Sequence, residues 1–140
     1  MIIALIREGH FGYHESVSQI KRQIIVQCGS PVGLKVEEHV LASFDPDRFE
    51  RNLAKDGDDY LAAVCMGKKA TEALTGFPLQ AGSVVPHYSG VGRSGRKILV
   101  LATLGMSNFE GTNEESVNRI NLVKVHLHRL AIAVGLVERV

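Results

Sequence analysis

Residues 90–97 read GVGRSGRK, where Gly90, Gly92 and Gly95 match the G-x-G-x-x-G spacing and a basic pair follows at once. In a dinucleotide fold such glycines let the backbone approach a pyrophosphate, whose charge rests on the N-terminus of the next helix. Here the order of elements is reversed: irregular chain precedes the triplet and a strand-like run, ILVLATL, follows it. The stretch also fails as a P-loop, because Ile98 stands where a magnesium-binding hydroxyl is required. The glycines therefore predict a turn with access to positive φ that leads into a strand.

The remaining reactive residue types give no stronger site. Six histidines stand at 10, 14, 39, 87, 126 and 128. His10 and His14 have the i, i+4 spacing of a metal pair, but Phe11-Gly12-Tyr13 between them argues against a helix, and no H-E-x-x-H pattern exists. His126 and His128 are two apart in a strongly helical segment, so their rings point about 200° apart and cannot share an ion. Cys28 and Cys65 sit in the apolar contexts IIVQCG and LAAVCMG without C-x-x-C spacing, and read as buried free thiols. Ser94 lacks a nucleophile elbow, since Arg96 occupies the place of its second glycine. The carboxylate pairs Glu37/Glu38, Asp58/Asp59 and Glu114/Glu115 read as solvated turns or helix starts. These patterns give no catalytic residue, no metal site and no cofactor.

Charge narrows the partners. Lys plus Arg number 16 against 15 Asp plus Glu, a net charge of +1, which is not the balance of a dedicated nucleic-acid binder. The local bias lies in the 67–97 segment, where Lys68, Lys69, Arg93, Arg96 and Lys97 face a single acidic residue, Glu72. These five are the candidate contacts to a partner surface or, in passing, to a DNA backbone. Little aromatic residue is interleaved with them, so stacking on single strands is not expected.

The elements that must carry these residues follow from pattern. At 140 residues, 45% hydrophobic and 22% charged, the chain reads as one globular domain over 1–140. IIALI suits a strand or a helix; Glu15–Gln27 reads as an amphipathic helix through Val17, Ile20 and Ile24. LKVEEHVL (34–41) alternates as a half-buried strand, Asp45-Pro46 caps and opens a short helix carrying Phe49 and Leu53, and YLAAVCM (60–66) is a strand covered on both faces. Glycines, prolines and serines make 67–97 a long flexible loop, and KILVLATL (97–104) the strongest strand. The fold class expected is α+β: a small single sheet with helices packed on it and a long terminal helix. The opening MIIALIREGH is too short for a signal-peptide core or a membrane span, so a cytoplasmic chain without membrane contact is expected.

That terminal helix has a capping box in Thr112 and Glu115, and a stop at Gly135. Val117, Ile120, Val123, Leu127, Leu130 and Val134 trace its core stripe. Leu122, Val125 and Ile132 fall off that stripe and are the candidate subunit interface of a homo-oligomer.

A leading helix, VEEHVLASFDPDRFERNL, DYLAAVCMG, a long loop, RKILVLATLG and GTNEESVNRINLVKVHLHRLA follow one another along the chain. In this order of elements it resembles the tail-terminator, or tail-completion, proteins of tailed phages and Mu-like prophages. It departs from them where the strand after the loop runs to Leu104-Gly105 rather than to an arginine-containing end, and in lacking a closing hairpin after the last helix. The resemblance implies a structural assembly protein: a homo-oligomeric ring subunit at the junction of tail tube and neck, with other tail or neck proteins as partners. The residues themselves leave a second reading open, a small α/β enzyme or ligand-binding protein with the 67–97 loop as a lid. His87, Tyr88 and Arg93 are then its polar contacts, with Cys65 below.

Overall fold

IIALI, ambiguous as an apolar run, becomes strand β1 (Ile2–Arg7), because both of its faces are covered. The structure is a computed structural model that describes residues 1–9, 14–56, 59–89, 96–105 and 114–138. β1 lies between β2 (Lys35–Val40) and β3 (Tyr60–Met66), parallel to both. β5 (Arg96–Thr103) extends the sheet parallel to β3, and β4 (Val84–Ser89) closes it antiparallel to β5. The order across this single mixed sheet is β2-β1-β3-β5-β4, and the fold is α+β.

Helices cover both faces, and strand alternation sorts the core between them. Ile3, Leu5, Val64 and Met66 point to α1 (His14–Gln27) and α4 (Glu114–Ala133), meeting Ile20, Ile24, Leu127 and Leu130. Ala4, Ile6, Ala63 and Cys65 point the other way, to α2 (Pro46–Asp56) and α3 (Lys68–Thr75), meeting Phe49, Leu53, Ala70 and Leu74. Phe49 and Leu53, four apart on α2, are 2% and 0% exposed, and burial of each is worth roughly 1.5–3 kcal/mol. α1 therefore connects β1 to β2 on one face, while α2 connects β2 back across to β3 on the other.

Both helices expected to carry terminal signals use them where the residues are described. Asp45 Oδ1 accepts from the backbone N–H of Asp47 (3.1 Å) and of Arg48 (3.2 Å), an N-cap worth about 1 kcal/mol. At the end of α4, Gly135 has φ +80°. Its N–H donates to Ile132 O (3.1 Å), and that of Leu136 donates to Ala131 O (3.0 Å). That pair of bonds is the Schellman stop. The Thr112 capping box lies outside the described residues.

Two expectations are corrected. The long loop over 67–97 instead contains α3 and β4, with 90–95 outside the described residues. α3 is only eight residues long and β4 holds Pro86, which an edge strand tolerates because it needs no donor on its open side. The core stripe of α4 begins at buried Ser116 rather than at Val117, which is 49% exposed. Spacings of four and three from 116 through 120, 123, 127 and 130 keep the helical phase that Val117 breaks. Among the described residues, no helix is long and apolar enough to cross a membrane.

Candidate functional site

β2 sends alternate side chains to opposite faces, which splits the neighbours Glu37 and Glu38. Neither is the solvated turn or helix start expected of them. Glu38 faces α1, where Arg7 Nε lies 2.6 Å and Lys21 Nζ 3.3 Å from its carboxylate. Burial pushes the Glu38 carboxyl up, but the bonds from Arg7 and Lys21 more than offset this and hold it below its ordinary value.

Glu37 and His39 share the face toward α2. Glu37 Oε1 lies 2.7 Å from His39 Nε2, and both its oxygens lie 2.9 Å from the hydroxyl of Tyr60, which donates from β3 across the intervening β1. An ionised carboxylate only accepts, so Nε2 carries the hydrogen and donates. Among the described residues Nδ1 has no hydrogen-bond partner, and no buried side-chain nitrogen or oxygen lacks one. Nδ1 is therefore not completely buried. The ring is fixed from the other side as well: Phe44 and Phe49 both meet it edge-on with centroids 5.5 Å away.

These side chains border a cleft of about 300 Å³ between β2 and α2, lined by Glu37, His39, Phe44, Asp45, Arg48 and Phe49. Ser43 and Asn52 complete its rim. The chain is shaped for it locally. A single 3-10 turn (Leu41–Ser43) follows β2, and Phe44 N–H donates to Leu41 O (3.2 Å) before Asp45 opens α2. Asp45 thus holds the helix with one oxygen while standing at the cleft. Arg48 is exposed and, among the described residues, pairs with no carboxylate. Chemically, the cleft offers an oriented imidazole, charges of both signs and an aromatic wall.

The residues singled out from sequence do not gather at one place. Lys68 and Lys69 are exposed at the start of α3, beside the carboxyl ends of β1, β3 and β5. Lys97 is exposed at the opposite end of β5, about 20 Å away at the usual rise of a strand. Arg93 lies outside the described residues, and Arg96 opens β5 without its side chain being described. Leu122 and Val125 are 44% and 53% exposed on α4, whereas Ile132 is partly buried.

His87, Tyr88 and Cys65 do not converge on a site either. His87 Nε2 is 2.5 Å from Glu50 Oε1, tying β4 to α2, and Tyr88 points to solvent. Cys65 is completely buried, and burial pushes its thiol up to about 12; Cys28 is likewise buried and raised to about 11. Both are inert thiols. His126 and His128 diverge as the helix requires: His126 is buried, its Nδ1 2.9 Å from Thr103 Oγ1, while His128 is exposed. Among the described residues no cluster of three or more His, Cys, Asp or Glu is arranged to hold a metal ion.

Sequence reasoning passed over Glu37 and His39. The pattern was present, because an i, i+2 pair on a strand shares a face. Nothing local indicates that Tyr60 and two phenylalanines arrive to complete the cluster. No protein-family model and no curated protein matches the chain.

Proposed function

We propose that the chain is a small-ligand-binding domain whose ligand occupies the cleft between β2 and α2, with His39 as its central polar contact. The observation that carries this reading is the Tyr60–Glu37–His39 series, which fixes the imidazole of a residue that lines a concave surface. Side chains held this way by packing and by a partnered carboxylate are pre-organised for a ligand. The cleft lies on the α2 face of edge strand β2, against the turn that joins the two elements.

A second reading, the tail-terminator-like ring subunit at the tail-tube and neck junction, keeps one specific support. Leu122 and Val125 are large apolar side chains exposed on α4, as an interface between copies would use. Native mass spectrometry separates the two. A monomer that retains a small molecule, lost on His39→Ala, supports the ligand reading; a closed ring of one chain type, opened by Leu122→Asp, supports the assembly reading.

A further inference from the structure

We infer that the cleft selects a zwitterion, a free amino acid with a small apolar side chain, by offering carboxylates to its ammonium group and Arg48 to its carboxylate. The inference rests on the cleft being a ligand site, and names the class of ligand that site takes.

Three observations carry it. The first is the sign of the charges. Glu37 and Asp45 supply two carboxylates, which receive N–H donors. The second is Arg48, which stands on the same cleft and, among the described residues, is paired to no carboxylate. A guanidinium presents a fork that fits a carboxylate in two parallel hydrogen bonds. The third is the apolar surface of the partly buried Phe44, backed by the core ring of Phe49 at 57° with centroids 5.6 Å apart.

These features exclude the simpler ligands. A plain anion gains Arg48 but meets two carboxylates. A plain amine gains the carboxylates and the aromatic rings but meets Arg48. Only a molecule carrying both charges satisfies both the carboxylates and Arg48. The volume of about 300 Å³ lies at the small end of ligand pockets, which suits a molecule of amino-acid size.

A matched set of probes tests this: L-leucine, 3-methylbutylamine, which is leucine without its carboxylate, 4-methylpentanoate, which is leucine without its ammonium, and neutral 3-methylbutanol. Each is titrated into ¹⁵N-labelled protein while the backbone amides of Phe44, Arg48, Phe49 and Asn52 are followed. Leucine is expected to bind about tenfold or more tightly than either singly charged analogue, the equivalent of about 1.4 kcal/mol. Arg48→Gln, at an exposed residue, is expected to fold normally and to abolish the advantage of leucine over the amine. Equal binding of leucine and amine, or an Arg48→Gln protein that keeps the advantage, overturns the zwitterion inference. If all four probes move the cleft amides equally, the inference falls and the cleft remains a ligand site. If none of the four moves them, both fall.

Discussion

His39 Nε2 lies 2.7 Å from Glu37 Oε1, two residues away on the same face of the same strand. The alternation of β2 thus makes the pair, and Tyr60, two strands over, holds the carboxylate from the other side. The arrangement fixes a tautomer. ¹H–¹⁵N long-range correlation spectra of the neutral ring are expected to show the hydrogen of His39 on Nε2. Glu37→Ala removes the acceptor and should let both tautomers appear, and an unchanged spectrum would mean that the carboxylate does not orient the ring.

Tyr60→Phe deletes the hydroxyl that both Glu37 oxygens receive. Hydrogen bonds to charged groups contribute about 1.5–3 kcal/mol, and this carboxylate is partly exposed, so a loss near the low end of about 1–1.5 kcal/mol is expected. Urea unfolding measures it. A loss below about 0.3 kcal/mol would show that water replaces the hydroxyl at no cost.

His126 gives the fold a pH dependence. Burial, together with the Arg129 guanidinium, holds its imidazole below the ordinary 6.5. The unfolded chain therefore binds this proton more readily than the native one. The associated stability is complete above about pH 6.5 and is lost as pH falls from there through the lowered native value. Comparing urea midpoints between pH 7.5 and 5, His126→Gln is expected to lose less stability on acidification than wild type. Parallel curves would contradict this. Glu38 acts at lower pH: its stability is present above the ordinary 4.5 and declines as pH falls below it.

The thiols Cys28 and Cys65, raised to about 11 and about 12, remain protonated at pH 8 and are covered by the core. Ellman's reagent is expected to find no reactive thiol in the native protein and two in denaturant. Rapid native labelling of either would show that its face of the sheet opens readily.

Gly82 is where the chain enters β4 with φ +93°, and its backbone oxygen accepts from Arg129 Nη1 at 2.8 Å. A methyl group there meets Arg129 Nη1 and His126 Nε2 at 3.0 Å each. Gly82→Ala is expected to destabilise the protein by about 2 kcal/mol, combining left-handed backbone strain with displacement of these side chains. A change within about 0.5 kcal/mol would mean that α4 shifts freely to admit the methyl.

Elements with long periodic patterns were legible from sequence: α1, the buried strand β3, β5 and α4 all form where their patterns place them. The segment 67–97 was not, for physical reasons. Lys68–Thr75 is too short to show periodicity, and Pro86 conceals an edge strand that exists because β5 offers it a partner. The site was half legible. Asp45 as the cap of α2 is written locally, and so is the shared face of Glu37 and His39. Their assembly into a cleft needs β3 to bring Tyr60 and α2 to bring Phe49, contacts made only by the sheet order.

The proposed ligand site is the β2–α2 cleft. Chemical-shift mapping of a general set of small organic fragments on the ¹⁵N-labelled protein tests it most directly. Perturbations are expected to gather on Phe44, Asp45, Arg48, Phe49 and Asn52 and on the His39 ring nitrogens. Perturbations gathered elsewhere, at the Gly67 and Gly105 end of the sheet or along α4, with the cleft unmoved, would contradict it.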